Sequence, residues 1–211
     1  SPTLEFIAVV FMLIAGMNFA TLYLALAHRS VMPYIKDPEA PWFLVVTLGS
    51  VVVISFYLWA NGVYPDEATA LRHSLFNVVS IATTTGYASV DYALWPMFAP
   101  LWMLFLCSFA TSAGSTGGGI KMIRALLLYK QFYRELVRAM HPAAVYNVRI
   151  RDQVMPQGVL FAALSFGFVY MVSIVSLTLI MSFSGLDIIS AFTAIVASIN
   201  NTGPGLGVVG P

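Results

Sequence analysis

Uncharged apolar runs alternate with polar or charged connections along most of this chain. A helix needs about 20 apolar residues to cross a bilayer, and four runs reach or exceed that length: 6–27, 42–63, 92–120 and 154–183. The second run begins and ends near Trp42, Trp59 and Tyr64, and such aromatic residues are typical of the membrane–water interface. The pattern therefore predicts four membrane-spanning segments.

Two further apolar segments, 69–82 and 188–199, are too short to cross. In a membrane protein, apolar stretches of roughly 10–14 residues are typical of re-entrant or buried helices. Each segment is followed at once by a turn that contains glycine, which is a common helix stop. The turns are Thr83-Thr84-Thr85-Gly86-Tyr87 and Asn200-Asn201-Thr202-Gly203-Pro204-Gly205. We predict two short helices, each ending in an uncharged turn partway through the membrane.

The two turns place irregular backbone at membrane depth, which is tolerated only where protein buries it or where it lines a water-filled path. A cation that crosses exchanges its water shell for fixed oxygens, and backbone carbonyls supply them. Gly86 and Gly203 suit the unusual backbone angles that this role requires. The C-terminal end of each short helix carries about half a negative charge, which favours a cation over an anion. The turns therefore indicate a cation pore.

Three acids lie near the predicted starts of the short helices: Asp66, Glu67 and Asp187. They could form an acidic outer mouth, or they could be ordinary helix caps and solvated residues. Acidic side chains are favourable at a helix N-terminus in either case. Both interpretations stay open on the sequence.

The basic residues indicate the orientation of the chain. Two of them, Arg29 and Lys36, lie in the first connection, and seven of the ten Lys and Arg residues fall within 121–151. These seven are Lys121, Arg124, Lys130, Arg134, Arg138, Arg149 and Arg151. Cytoplasmic loops carry an excess of Lys and Arg, so both connections are predicted to be cytoplasmic. The short helices then enter the membrane from the outer face.

The order of elements repeats. A spanning helix, a short helix, a glycine turn and a second spanning helix follow one another over 42–140, and the first three recur over 154–207. Alignment of Gly86 with Gly203 pairs three further positions: Thr85 with Thr202, Ser74 with Ala191, and Val79 with Val196. Internal repeats are common in transport proteins. This repeat is parallel, as in a channel assembled from pore-loop units.

The repeat divides the chain into three predicted parts. They are 1–40, the last helix of a preceding repeat with a cytoplasmic connection; 41–153, a complete pore-loop repeat with a basic cytoplasmic segment; and 154–211, a repeat without its final helix. The chain opens on Ser1 without a methionine and stops at Pro211, straight after the second turn. We expect both ends to be cuts through a larger protein.

Composition excludes several classes of protein. Residues are 59% hydrophobic and only 9% charged, against about 25% charged in a soluble domain. The chain is therefore an integral membrane protein. A net charge of +1 carries no signal for nucleic acid, and the single cysteine, Cys107, has no partner within the sequence for a disulfide.

Three motifs carry a resemblance to a known family. They are Thr83 to Tyr87, then Gly114-Ser115-Thr116-Gly117-Gly118-Gly119-Ile120-Lys121, then Asn200 to Gly207. In this order they resemble the Trk/Ktr/HKT superfamily of potassium transporters, and within it the membrane subunits of bacterial Trk systems. The resemblance covers essentially the whole chain.

The resemblance implies an all-α, multi-pass protein of the bacterial inner membrane, with helix–pore loop–helix repeats around a central, potassium-channel-like pore. It implies that residues 83–87 and 200–204 belong to a potassium filter, with Gly86 and Gly203 in the filter-glycine positions. The carbonyls of four residues are then the expected ligands of the transported potassium ion: Thr84, Thr85, Asn201 and Thr202. No organic cofactor is expected. Two further filter segments and the final helix lie outside this chain.

The family also implies partners. A ring of cytosolic nucleotide-binding regulatory subunits of the TrkA type is expected to control the membrane subunit, and the full-length protein is expected to be a homodimer. The segment 125–140 has the pattern of an amphipathic helix, with Lys130, Arg134 and Arg138 on one side. It could contact the cytosolic partner or lie on anionic lipid.

The glycine-rich segment 114–119 interrupts the third spanning run. Each glycine costs a helix about 1 kcal/mol relative to alanine, so we predict that the helix breaks there. The segment could be a flexible exit to the cytoplasm, or, as the family implies, an intramembrane loop that gates the path below the filter, together with Lys121. It is not a phosphate-binding loop, since Ile120 separates the last glycine from Lys121 and Met122 follows.

Lys121 and Arg124 follow the glycines directly. They could bind the loop or interact with ions in the path. Alternatively, they could extend to lipid headgroups, which is the commoner arrangement of long cationic side chains at a membrane surface.

Two functions from other classes compete with the pore. An intramembrane serine hydrolase needs a serine within reach of a histidine, but His28, His73 and His141 are predicted away from the depth of the intramembrane serines, so we expect no enzyme. A sodium-coupled carrier for an organic solute favours inverted repeats. Entry of both short helices from one face would favour the pore over the carrier.

Overall fold

Helices make up most of the computed structural model, which describes residues 1–142 and 146–211. They are α1 (Pro2–Gly16), α2 (Phe19–Ala27), α3 (Met32–Lys36), α4 (Ala40–Ala60), α5 (Glu67–Ala82), α6 (Phe98–Cys107), α7 (Met122–Met140), α8 (Gln157–Ser182) and α9 (Ile188–Ile199). Two strands, β1 (Arg149–Ile150) and β2 (Gln153–Val154), pair antiparallel. The predicted helical membrane fold is confirmed, and within 1–142 and 146–211 this short hairpin is the departure from an all-α description.

Two of the four predicted spans are continuous helices. Among the described residues, α4 and α8 are long and apolar enough to cross a membrane, with 21 and 26 residues. Large apolar side chains project outward from both helices, such as Val45 on α4 and Phe168 on α8, which are 64% and 70% exposed. Such faces suit lipid or neighbouring apolar helices.

The first predicted span, 6–27, is wrong as a single helix. The chain forms α1 and α2, whose axes meet at an angle of 104°. Met17 is extended, and Asn18 caps α2 by accepting a hydrogen bond from the amide of Ala20 at 2.8 Å. With 15 residues, α1 is about 22 Å long at 1.5 Å per residue.

The third predicted span, 92–120, is also broken, and earlier than its glycines indicate. Helix α6 ends at Cys107, and the chain stays irregular until α7 begins at Met122. The Ser108 carbonyl accepts a hydrogen bond from the Ile120 amide at 2.6 Å instead of continuing the helix. The Ile120 amide thus occupies the Ser108 carbonyl, to which an amide of the next helical turn would otherwise donate.

The two short helices form where the hydrophobic pattern places them. Helix α9 has the predicted bounds, and α5 begins two residues earlier than predicted. Asp66 caps α5 by accepting a hydrogen bond from the Thr69 amide at 2.7 Å, and Asp187 caps α9 by accepting from the Ser190 amide at 3.1 Å. Hydrogen bonds from the hydroxyl and the amide of Ser190 lower the pKa of Asp187. The capping interpretation of these two acids is therefore confirmed.

We expect Asp66→Ala to destabilise the full-length parent by about 1 kcal/mol, the usual loss for a missing N-cap. Asp66→Asn retains an oxygen acceptor for the Thr69 amide, so it should keep most of the stability. Thermal unfolding in detergent measures both variants. An equal loss in Asn and Ala would show that the charge of Asp66 matters rather than the hydrogen bond.

Packing repeats along the chain as the order of elements does. Helix α4 packs against α5, and α8 packs against α9. In addition, α1 packs on α5, and α6 packs on α9. Fully buried apolar side chains form a common core between these helices, among them Ile54 of α4, Ile81 of α5 and Met103 of α6. Helix α5 therefore lies between α4 and α1, and α9 lies between α8 and α6.

Candidate functional site

The turns that follow α5 and α9 share one backbone conformation. Thr84 and Asn201 have left-handed φ angles of 56° and 55°, and Gly86 and Gly203 have φ angles of 81° and 106°. The first pair falls at equivalent positions when the two glycines are aligned. Residues other than glycine with positive φ are uncommon, so their recurrence at matching positions confirms the predicted alignment of the turns.

Each turn closes on its helix as a Schellman motif, in which a left-handed residue ends the helix. The Thr85 amide donates to the Ser80 carbonyl, and the Thr202 amide donates to the Ala197 carbonyl, each at 2.8 Å. Glycine usually occupies the left-handed position of this motif. Here threonine and asparagine occupy it, so the surrounding structure holds both turns in an uncommon conformation.

The first residue of each turn anchors it through its side chain. The Thr83 hydroxyl donates to the Val79 carbonyl at 2.8 Å, and the Asn200 side-chain amide donates to the Val196 carbonyl at 2.8 Å. The Asn200 oxygen also accepts a hydrogen bond from the Tyr170 hydroxyl at 3.0 Å. Both side chains are buried. Both side chains thus stabilise the conformation of their turn.

The two turns touch each other. A Cβ atom added to Gly86 would lie closer than 3.0 Å to the carbonyl oxygen of Thr202 and 3.2 Å from the side chain of Pro204. Gly203 differs, because no described atom lies within 4 Å of its Cβ position. At position 86, both the positive φ angle and the lack of room for a side chain require glycine. At position 203, only the positive φ angle requires it. Gly86 and Thr202 meet here although they are 116 positions apart in the sequence.

Other predicted filter residues lie at the edge of this contact. Tyr87 is 65% exposed, and the Asn201 side chain is also exposed. The Thr85 hydroxyl lies 2.9 Å from the Thr83 hydroxyl. The meeting surface of the turns is therefore mainly backbone.

The glycine-rich segment packs against both turns. The Gly118 amide donates to the Thr84 hydroxyl at 3.0 Å. A Cβ atom on Gly118 would come closer than 3.0 Å to the Asn200 carbonyl oxygen, and one on Gly119 would come within 2.7 Å of the Asn200 side-chain oxygen. These glycines allow the close approach of the segment to the turns. The structure thus brings all three sequence motifs together.

The same segment binds the break between α1 and α2. The amides of Ser112 and Thr116 donate to the carbonyls of Gly16 and Ala15 at 3.0 and 3.2 Å, and the Phe19 amide donates to the Gly114 carbonyl at 3.1 Å. Sequence reasoning missed this contact. Asn18, a strong N-cap residue two positions after Gly16, was the available signal for the break.

Glu39, at the start of α4, reaches the residues that flank the glycine-rich segment. Its Oε1 atom accepts hydrogen bonds from the amides of Ala113 and Ile123, both at 2.9 Å. Burial raises the pKa of Glu39, and the two amides oppose that rise. The sequence signal for this contact was limited to two acids, Asp37 and Glu39, in a connection that also carries Arg29 and Lys36.

Lys121 and Arg124 bind within the protein. The Lys121 amine donates to the Gly117 carbonyl and lies 3.4 Å from the Ser115 hydroxyl. The Arg124 guanidinium stacks 4.3 Å above the Phe166 ring. For Lys121 the predicted contact with the loop is confirmed. The Phe166 ring attracts the Arg124 cation, and the headgroup interpretation of Arg124 stays a prediction.

Comparisons with known proteins agree with this architecture. The Trk system potassium uptake protein TrkH of Salmonella typhimurium is 43% identical over 210 residues, which are 99% of this chain and 43% of that protein. The TrkG protein of Escherichia coli K12 is 34% identical over 203 residues, 96% of this chain and 42% of that protein. The crystal structure of the potassium transporter TrkH from Vibrio parahaemolyticus superposes with a TM-score of 0.93 at 39% identity.

That superposition covers 99% of this chain and 45% of the crystallised one, so the chain spans less than half the length of its relatives. Its relatives are named as transport proteins and not as enzymes. A family model described as TrkH: Cation transport protein matches residues 1–210. The chain therefore belongs to the TrkH family of cation transport proteins.

Proposed function

We propose that the full-length parent of this chain takes up potassium across the membrane, and that 83–87 and 200–204 form two segments of its filter. The observation that carries the proposal is the contact between two turns of the same conformation, where Gly86 meets the Thr202 carbonyl. Relatives over the whole chain are named as potassium uptake proteins. The rest of the parent supplies the remaining filter segments.

Electrostatics supports a cation at this contact. Helices α5 and α9 both end at the turns, and each C-terminus contributes about half a negative charge. Neither turn contains a charged side chain. Potassium ions bind to rings of backbone carbonyls in known filters. We propose that four residues offer their carbonyls to the ion: Thr84, Thr85, Asn201 and Thr202.

The glycine-rich loop, 114–119 with Lys121, is proposed to gate the path below the filter. It is bound to Thr84 and to the break between α1 and α2, and the residues that flank it, Ala113 and Ile123, donate to Glu39. A flexible exit to the cytoplasm would not need bonds to three separate parts of the chain. This bonding favours a loop with a defined closed position.

The three parts 1–40, 41–153 and 154–211 are proposed as successive pieces of pore-loop repeats, with 29–36 and 121–151 on the cytoplasmic side. Helix α7 exposes aromatic residues such as Tyr129 and Phe132 beside its basic residues. We propose that a TrkA-type cytosolic nucleotide-binding subunit contacts this helix, and that the parent is a homodimer.

A solute carrier with inverted repeats is not retained as a second candidate. In such a carrier, corresponding elements of the two repeats run in opposite directions through the membrane. Here the turns that end both short helices meet, and each short helix is packed between corresponding neighbours. Relatives that match over nearly the whole chain are named as potassium uptake proteins, which favours the pore.

Rubidium uptake into liposomes that contain the full-length parent tests the proposal. Excess potassium should suppress uptake strongly, and equal sodium should suppress it little, because filter carbonyls discriminate between these ions. Empty liposomes give the background. Equal suppression by both ions would contradict a selective filter, and absence of rubidium flux under any gradient would contradict the pore itself.

A further inference from the structure

Glu39 contacts the chain on both sides of the glycine-rich loop. Ala113 directly precedes Gly114, and Ile123 lies two residues after Lys121. Both of their amides donate to the same carboxylate oxygen of Glu39 at 2.9 Å. Glu39 is 74 and 84 residues away from its two donors in the sequence. One side chain thus joins the two ends of the loop to the start of α4.

Further hydrogen bonds fix the backbone that carries Glu39. The Asp37 carboxylate accepts hydrogen bonds from the amides of Glu39 and Ala40 at 2.7 and 3.0 Å. Arg151, in the β1–β2 hairpin, donates to the Asp37 carbonyl at 3.0 Å. Asp37 and Glu39 are both buried. The backbone that carries Glu39 is therefore fixed to α4 on one side and to the cytoplasmic hairpin on the other.

A buried carboxylate that accepts two amide bonds is a strong tie, because hydrogen bonds to a charged acceptor are about twice as strong as neutral ones. Burial raises the pKa of Glu39, and the two amides together with the positive charge of Lys121, which lies between the two donors in the sequence, oppose that rise. Loss of the carboxylate would leave two amides without this acceptor. The loop would then be held less firmly against the turns.

We propose that Glu39 is a positioning residue that clamps both ends of the glycine-rich loop and stabilises its closed position under the filter turns. The part of this inference that concerns gating rests on the proposed function of the loop. The clamping itself concerns only the position of the loop. The two parts can be tested separately.

Hydrogen–deuterium exchange of the full-length parent tests the clamp directly. In Glu39→Ala, amides within 108–123 should exchange about tenfold faster than in the wild type, while amides of α9 keep their protection. Glu39→Gln retains one acceptor oxygen without the charge, so its exchange should lie between the two. Glu135→Gln makes the same chemical change at an exposed residue of α7 and should leave both regions unchanged.

Rubidium flux of the same variants, without a cytosolic partner, tests the link to gating. Flux should rise in the order wild type, Glu39→Gln, Glu39→Ala, and the preference for potassium over sodium should stay constant because the turns are intact. Unchanged loop exchange in both Glu39 variants would overturn the clamp. Faster loop exchange with unchanged flux would instead overturn the loop as the gate and leave the clamp standing.

Discussion

Replacement of Gly86 by serine is expected to reduce the preference of the full-length parent for potassium over sodium about tenfold, the equivalent of about 1.4 kcal/mol. The φ angle of 81° disfavours any side chain. The new Cβ atom would also come closer than 3.0 Å to the Thr202 carbonyl. That carbonyl must then move, and it belongs to the opposite turn of the proposed filter. Competition of potassium and sodium against rubidium uptake measures the change.

Two matched variants separate conformation from space. Gly203→Ser has the same left-handed strain but no described atom within 4 Å of its Cβ atom, so we expect a smaller loss of selectivity than in Gly86→Ser. Gly49→Ala is placed in α4, where no described atom lies within 4 Å of the new Cβ atom. It should leave selectivity unchanged. Unaltered ion preference in both Gly86→Ser and Gly203→Ser, at normal expression, would exclude the turns as the filter.

Shortening of the loop 114–119 is expected to raise rubidium flux about tenfold, if the closed position loses about 1.4 kcal/mol relative to the open one. The loop contacts the Thr84 hydroxyl and approaches the Asn200 carbonyl through Gly118. Removal of these contacts takes away the segment that lies against both turns. Flux into proteoliposomes at equal protein content measures the effect.

Gly118→Ala changes the same contact without changing the loop length. Its φ angle is not in the left-handed region, so the main effect is the close approach of the new methyl group to the Asn200 carbonyl. We expect flux to rise, though less than after shortening. Gly158→Ala, at the start of α8, is the matched control with open space around the new methyl group. A fall in flux for both loop variants, at normal expression, would identify the loop as structural support.

The sequence by itself determined the features that depend on neighbouring residues. The bounds of α9 follow from an apolar run between Asp187, which caps the helix, and the turn at Asn200. The correspondence of the two turns follows from the spacing of Gly86 and Gly203 from their helices. Helix caps and Schellman turns form over about six residues, so local patterns suffice to predict them.

Only the tertiary structure decided where the other helices break. The runs 6–27 and 92–120 are apolar and uncharged, and composition alone favours a continuous helix in each. Their breaks are stabilised by each other, because the Thr116 hydroxyl and amide donate to the Ala15 carbonyl from 101 residues away. Such pairing cannot be read from a local window. A helix can end inside a membrane only when another segment satisfies its free carbonyls.

The role of Glu39 likewise depends on contacts that only the tertiary structure brings together. In sequence it is one acid between α3 and α4, beside Asp37 and two prolines. In the folded chain it is 4% exposed and accepts two amide bonds from a segment that lies more than 70 residues further along. The turns were predictable because a few adjacent residues determine their shape. The loop's partners were not, because a buried charge is stable only where distant donors meet it.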